Sequence, residues 1–401
     1  MCHIVEFAIS GLAGRKHVYA QNLNKDSNIF FGLNGSGKTS LLKVLHSALS
    51  GDTEILRNVP FKQAEVKLFS PRENINFTCK IAQAPRRRQE RFYDFPEILF
   101  SSDLSEEARR ELLSLHGGNR QAEVAWEVTP ETCKSKNEGG RGVRHAYLPV
   151  SRPYLTKRLE RLPFSEEQLD LLFAKKLQDL WVRYSAEMLR NIQRVQEDGL
   201  ASILKTILAE KKADDVAITV IDKSAEVEVH AAYEKMQTFL RRQKSAAEIL
   251  GSREHFMQRY AEDPRLQQVV RDIHAIEKEI ELTVLPRQNL QRLIQNLFSH
   301  KQIEFSDDGI LVKTEEGESL GLHLLSSGER QLVLILLETF LAGAGVVLID
   351  EPEMSMHIDW QLALVTVMRQ LNPEAQLILA THSPEIMAEV ADDKIFRLDD
   401  E

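Results

Sequence analysis

The chain has 401 residues, 43% hydrophobic and 28% charged, the proportions of an ordinary globular protein of two or three domains. Its formal net charge of −9 excludes a protein that coats nucleic acid with its whole surface, though not one with a local basic groove. Three cysteines, Cys2, Cys79 and Cys133, are too few and too scattered for a disulfide framework or a zinc knuckle, and they fit a reducing cytosol.

Over residues 1–161, short apolar or alternating runs are broken by Gly, Pro, Asn and Ser. Strands are predicted at 4–9, 18–23, 29–31, 64–69, 75–82 and 122–128. A glycine-rich turn at 32–38 precedes a predicted helix at 39–50, where Leu41, Leu42, Val44, Leu45 and Leu49 keep helical spacing. Residues 162–300 are rich in Glu, Lys, Gln, Arg and Leu. Leu169, Phe173, Leu177, Leu180, Tyr184, Met188, Ile192 and Val195 step by three or four, which predicts a long amphipathic helix. Tyr233, Met236 and Leu240, then Val269, Ile273, Ile276 and Ile280, repeat the pattern after a β-like run at 217–221. This zone is either a helical subdomain with an ordinary core or an arm with irregular coiled-coil heptads. Residues 301–401 return to strands at 303–305 and 309–313, a hairpin around Asp307-Asp308-Gly309, and at 346–349, 377–380 and 395–398, the last an edge strand. The longest apolar run, 332–337, is far shorter than the ~20 residues of a membrane span. Met1-Cys2-His3-Ile4 lacks the basic stretch and apolar core of a secretory leader. The expectation is a cytoplasmic protein with no membrane partner.

The chemistry concentrates in four motifs. Gly32-Leu33-Asn34-Gly35-Ser36-Gly37-Lys38-Thr39 matches the P-loop pattern, after a strand and before a helix. Its glycines let the backbone amides of Asn34, Gly35, Ser36 and Gly37 converge on phosphate oxygens. Lys38 is expected to reach the β- and γ-phosphates of ATP and Thr39 to ligate Mg²⁺. Val346-Val347-Leu348-Ile349-Asp350-Glu351-Pro352 is a buried strand ending in two carboxylates, at the sheet edge where open α/β proteins bind ligands. Asp350 is the expected metal partner and Glu351 the expected general base for the attacking water. Leu377-Ile378-Leu379-Ala380 leads into Thr381-His382-Ser383, which sets His382 on the same edge, within reach of a γ-phosphate or that water. Leu325-Ser326-Ser327-Gly328-Glu329-Arg330-Gln331 precedes an apolar helix. Ser326 or Ser327 suits the N-cap, and Ser327, Gly328 and Glu329 are assigned to a second phosphate grip that serves another subunit's ATP.

In chain order the four motifs resemble those of the ABC-type ATPase heads: 32–39 resembles Walker A, 325–331 the signature, 346–351 Walker B, and His382 the switch histidine. The resemblance covers roughly residues 1–60 and 310–401. It implies an α/β fold: a P-loop head with a mixed-sheet core and an antiparallel β lobe, split by an inserted helical or coiled-coil arm. The expected division is 1–161, 162–300 and 301–401. The resemblance also implies two ATPs sandwiched between two protomers, so that hydrolysis to ADP and phosphate is coupled to a homodimer or higher homo-oligomer. Ser-Ser-Gly-Glu in the signature, the long gap after Walker A, and Glu351-Pro352-Glu353 with Ser355-Met356-His357 are similar to the SMC, RecF and OLD side of the superfamily. His357 stands where many relatives carry Asp. No Q-loop Gln is evident; residues 146–152 occupy that place, and Gln83 and Gln89 are weak substitutes. OLD nucleases continue past the switch histidine into an acidic metal-binding nuclease domain; here the expectation is that any nuclease is a separate chain.

An ATPase head with a short arm and no effector of its own is similar to the ATPase subunits of bacterial anti-phage systems such as Septu, PARIS and retrons. That resemblance implies a sensor or regulatory subunit holding a separate effector, often a nuclease. A ~40-residue helical arm reaches about 60 Å, enough to hold a partner and too short to bridge distant DNA. A RecF- or SMC-like DNA repair ATPase is the first alternative. Its phosphate contacts would be the basic clusters at 86–91 and 152–161, although sparse aromatic partners favour solvated loops there. An ATP-stabilised scaffold with little turnover is the second alternative, opposed by the presence of Glu351 and His382.

Overall fold

The computed structural model describes residues 3–71, 74–82, 126–130, 144–149, 165–208, 233–234, 237 and 252–398. The chain forms two compact units, residues 1–164 with 325–401, and residues 165–324.

Among the described residues, the first unit holds two five-stranded sheets. One is antiparallel, in the order β2-β1-β4-β5-β6, from β1 (His3–Ser10), β2 (Val18–Asn22), β4 (Gln63–Ser70), β5 (Ile75–Ala82) and β6 (Glu127–Pro130). The other is parallel, in the order β13-β3-β12-β11-β7, from β3 (Ser27–Phe31), β7 (His145–Leu148), β11 (Val346–Asp350), β12 (Gln376–Thr381) and β13 (Ile395–Arg397). Helix α1 (Lys38–Ser50) lies in the core between them. Its Leu41, Leu42, Leu45 and Leu49 cluster with Ile4, Phe7 and Ile9 of β1, Val66 and Leu68 of β4, Leu348 of β11 and Ile378 of β12. β11 is buried at every position, as a parallel strand covered on both faces requires. The carboxamide of Gln376 accepts from Ile4 N and donates to Ile4 O and Asn24 O, each at 2.8 Å, and so ties β12 to β1. Of the strand predicted at 122–128, only the end is described, and the strand itself is β6. β7 was not predicted as a strand; it pairs in register with β11, Leu348 opposite Tyr147.

The same unit contains α5 (Ser327–Leu341), α6 (Ile358–Leu371) and the short α7 (Pro384–Met387). Ser326 caps α5 through a capping box with Glu329: Glu329 N donates to the Ser326 hydroxyl at 3.3 Å and Ser326 N to the Glu329 carboxylate at 2.7 Å.

The second unit is built on α2 (Glu166–Leu208) and α4 (Pro264–Leu297), with α3 (Arg253–Glu262) beside α4. α2, at 43 residues, extends about 65 Å. Asp263 caps α4 and Pro264 occupies its first turn, where the missing N–H is harmless. The two long helices run antiparallel: Thr206 bonds Asp272 at 3.3 Å, and Gly199 faces Ile276, whose side chain a Cβ at 199 would strike. Val269, Ile273, Ile276 and Ile280 line that seam at coiled-coil spacing, against Val195 and Ile203.

The strands expected with the C-terminal lobe, β8 (Lys301–Phe305), β9 (Ile310–Thr314) and β10 (Ser319–Leu320), belong to this helical unit instead. Helix side chains bind their backbone: Gln178 donates to Ile310 O at 2.8 Å and accepts from Ile310 N at 2.9 Å, and Gln291 pairs with Ile303 O and Phe305 N. Fully buried Trp181 donates to Ser306 O at 2.6 Å and meets the Phe305 ring edge-on at 4.7 Å. Trp181→Ala is therefore expected to destabilise this unit by about 3–5 kcal/mol. Denaturant unfolding followed by circular dichroism reads that loss, and an unchanged midpoint would refute the account.

The 217–221 run, Met236, Leu240, Cys2 and Cys133 lie outside the described residues. Among the described residues, no helix is long and apolar enough to cross a membrane.

Candidate functional site

β3, β12 and β11 are adjacent and parallel, so residues following their C-terminal ends share one edge. That edge collects the P-loop after Phe31, His382 after Thr381, and Asp350 with Glu351.

The P-loop turns where Gly35 (φ 87°) and Gly37 (φ 99°) adopt left-handed backbone, a region costly for other residues. At Gly37 a Cβ would also lie 2.9 Å from the Cβ of Ala13. Asn34 and Gly35 are exposed, whereas Ser36 is buried with its hydroxyl unpartnered. Gly37 caps α1, so the first amides of that helix open onto the loop. Lys38 is 4% exposed. Its ammonium donates to Gly32 O at 2.5 Å and Leu33 O at 3.2 Å and lies 3.3 Å from the Glu351 carboxylate.

Asp350 is completely buried, and neither carboxylate oxygen has a hydrogen-bond partner. Burial pushes its pKa up to about 6; the nearby Thr39 hydroxyl pulls it down, Glu351 pushes it further up, and Lys43 and Lys38 oppose the rise. The Thr39 side chain is close enough to act on the charge without completing a hydrogen bond in good geometry. A buried carboxylate left this way suits a divalent cation. Thr39 and Asp350, with open space over Gly35 for phosphates, fit Mg²⁺ with a nucleoside triphosphate.

Glu351 adopts a left-handed backbone (φ 50°) that is strained for a residue with a Cβ. Burial raises its pKa, but Glu353, His382 and Lys38 outweigh that and hold it below the usual carboxylate value. Its carboxylate meets His382 Nδ1 in a short contact. Glu353 was noted in the sequence without a role. One of its oxygens accepts from Thr381 Oγ1 at 2.6 Å, His382 N at 2.9 Å and Ser383 N at 3.1 Å, which fixes the loop carrying His382. The other is buried and unpartnered, and burial raises the Glu353 pKa. A second acidic residue two positions after Glu351 was the available signal. Glu351, Glu353 and His382 present ligand atoms within 4.8 Å of one another.

In the segment expected to be the signature, Ser327 is the exposed first residue of α5. Gly328 is buried against the Ser355 carbonyl, which a Cβ would strike. Glu329, expected to contact nucleotide, is engaged in the capping box. His357 caps α6, accepting from Asp359 N at 3.4 Å. Of the segment at the Q-loop position, 146–149 is described, and most of it is β7. The basic clusters at 86–91 and 152–161, with Gln83 and Gln89, lie outside the described residues.

The sequence family described as "AAA domain, putative AbiEii toxin, Type IV TA system" matches residues 195–388. The Retron Vc95 probable ATPase of Vibrio cholerae serotype O1 biovar El Tor is 38% identical over 82 residues, 20% of this chain and 16% of that protein. The Septu protein PtuA of Bacillus thuringiensis is 24% identical over 139 residues, 29% of this chain and 35% of that protein. The matches thus span well under two thirds of either relative. The SMC head domain with an extended coiled coil from Pyrococcus furiosus, solved bound to the C-terminal domain of ScpA, aligns over 97% of this chain and 92% of that chain. At 12% identity and a TM-score of 0.44, that alignment is too loose to carry a residue correspondence. The chain is thus similar to that AAA family over residues 195–388 and, over shorter stretches, to the retron probable ATPase and to Septu protein PtuA, and it carries a P-loop beside a parallel sheet.

Proposed function

We propose that the chain binds ATP with Mg²⁺, hydrolyses it to ADP and phosphate, and closes as a dimer or larger assembly over the bound nucleotides. The observation that carries this reading is the contact series Lys38–Glu351–His382 at one sheet edge, beside an orphaned buried Asp350. The P-loop amides and Lys38 take the phosphates, with the Lys38 ammonium exchanging loop carbonyls and Glu351 for phosphate oxygens. Thr39 and Asp350 hold Mg²⁺, which neutralises phosphate charge when bound. Glu351, free of Lys38 and ionised at neutral pH, accepts the proton of the attacking water. His382 orients Glu351, and Glu353 holds His382 in place. This is general-base catalysis with its base pre-positioned.

In the proposed assembly, Ser327 and Gly328 at the start of α5 complete the phosphate site of a second copy. Ser327→Arg is expected to leave ATP binding by one chain unchanged while abolishing the ATP-dependent doubling of mass in size-exclusion light scattering. A variant that still doubles would remove the signature from the interface. Together with the Septu and retron matches, the reading extends to a regulatory subunit that holds a separate effector, often a nuclease, in the cytoplasm. Co-purification with the product of the adjacent gene tests that extension. A chain that elutes alone, and whose neighbour is not toxic by itself, would refute it.

A further inference from the structure

Tyr147 has no part in the assignments above, yet its place in the sheet points it at Asp350. In the parallel pairing of β7 with β11, Tyr147 lies opposite Leu348. Side chains alternate along a strand, so Tyr147, Leu348 and Asp350 share one face. It is the face that packs on α1, because Leu348 and Tyr147 both join the cluster built around that helix. Asp350 lies two residues, or about 6.6 Å, further along, a distance that a tyrosyl side chain leaning along its strand spans. The ring is held in that position. His46 of α1 stacks on it with centroids 4.5 Å apart and planes at 20°, and His46 Nδ1 in turn bonds His145 Nε2 at 2.8 Å. The Tyr147 hydroxyl is buried and unpartnered, as are both Asp350 oxygens. A tyrosyl hydroxyl is an O–H donor, and Asp350 is near enough for its charge to act on this one.

A buried donor and two buried acceptors, all unpartnered, are the groups that ordered water joins. We propose that Tyr147 is a positioning residue for Asp350: its hydroxyl donates through one ordered water to the carboxylate and sets the orientation in which Asp350 meets the divalent cation. The proposal rests on Asp350 being the cation partner in the nucleotide site. Outer-shell partners of this kind hold a ligand's rotamer and its basicity. His46 and His145 act one step further out, by fixing the ring.

The test is ATP binding by the full chain, by calorimetry, first in EDTA and then across a Mg²⁺ titration. Tyr147→Phe removes only the hydroxyl. It is expected to bind ATP in EDTA as the parent does, yet to need about tenfold more Mg²⁺ for half-maximal enhancement of ATP binding. In an Asp350→Asn background the same substitution is expected to change nothing, because the group it positions is gone. A purely structural role would lower melting temperature and weaken ATP binding in EDTA alike. A Mg²⁺ shift below twofold, or an equal shift in the Asp350→Asn background, overturns the proposal. Should Tyr147→Phe not fold, Tyr147→Met fills similar volume without a donor and reads the same quantity. A parent protein whose ATP binding ignores Mg²⁺ overturns the nucleotide-site reading itself, before any tyrosine variant is compared.

Discussion

Glu351→Gln is expected to reduce ATP turnover about a thousandfold, within the range a positioned general base supplies, while ATP binding stays at the parent level. The amide keeps the volume of the side chain and can still bond His382 Nδ1, but it cannot take a proton from water. Its neutrality also releases Lys38 from the 3.3 Å ion pair with Glu351, which frees the ammonium for phosphate. Binding should therefore be unchanged or tighter, and the nucleotide-closed assembly should persist. Single-turnover kinetics with labelled ATP separates the two effects, and light scattering with ATP reads the trapped assembly. Turnover at the parent rate would remove Glu351 as the base. A parallel loss of binding would instead assign Glu351 to the integrity of the P-loop.

Asp350→Asn is expected to stabilise the ligand-free protein above pH 6 and to cripple it with Mg·ATP. The Asp350 pKa rises from 3.8 to about 6 on folding, so the folded chain holds that proton more tightly than the unfolded chain. For a raised carboxylate, the stabilisation is complete below the unfolded value and is lost as pH rises through the folded one. At pH 8 the parent thus bears a buried, unpaired charge worth up to about 3 kcal/mol, partly offset in the variant by the burial of an amide. Thermal melts in EDTA between pH 4 and 8 should show the variant melting several degrees higher at pH 8, with the gap closing as pH falls through 6 toward 4. With Mg²⁺ and ATP the order should reverse, because only the carboxylate gains a cation partner. Parallel melting curves across that range would refute the account. Such a gain on removing a group held ready for ligand is the usual exchange of stability for function.

The residues brought to the sheet edge were legible because each lies in a contiguous motif with local rules. Glycines mark the turn after β3, an apolar run predicts buried β11, and carboxylates at its end predict a ligand edge. Alternation and helical spacing likewise predicted most elements, from β1 to the long α2. Other features depended on partners far away in the chain. Glu353 became the clamp of the His382 loop only once β12 lay beside β11. β7 and Tyr147 acquired meaning only through pairing with a strand some two hundred residues later. β8 and β9 read as an ordinary hairpin, and only Trp181, Gln178 and Gln291 reveal that they belong with the helices. Gln376 looked like the unremarkable start of a strand, yet it ties that strand to β1 across 372 residues.

The sequence by itself determined that this protein carries a P-loop, an acidic strand end and a histidine in an order that brings them to one edge, because turn chemistry and side-chain periodicity act over a few residues. Only the tertiary structure decided which buried polar groups go unpartnered and which are satisfied. That outcome depends on which strands become neighbours, and strand pairing is selected by the burial of whole faces against one another rather than by any local run of residues.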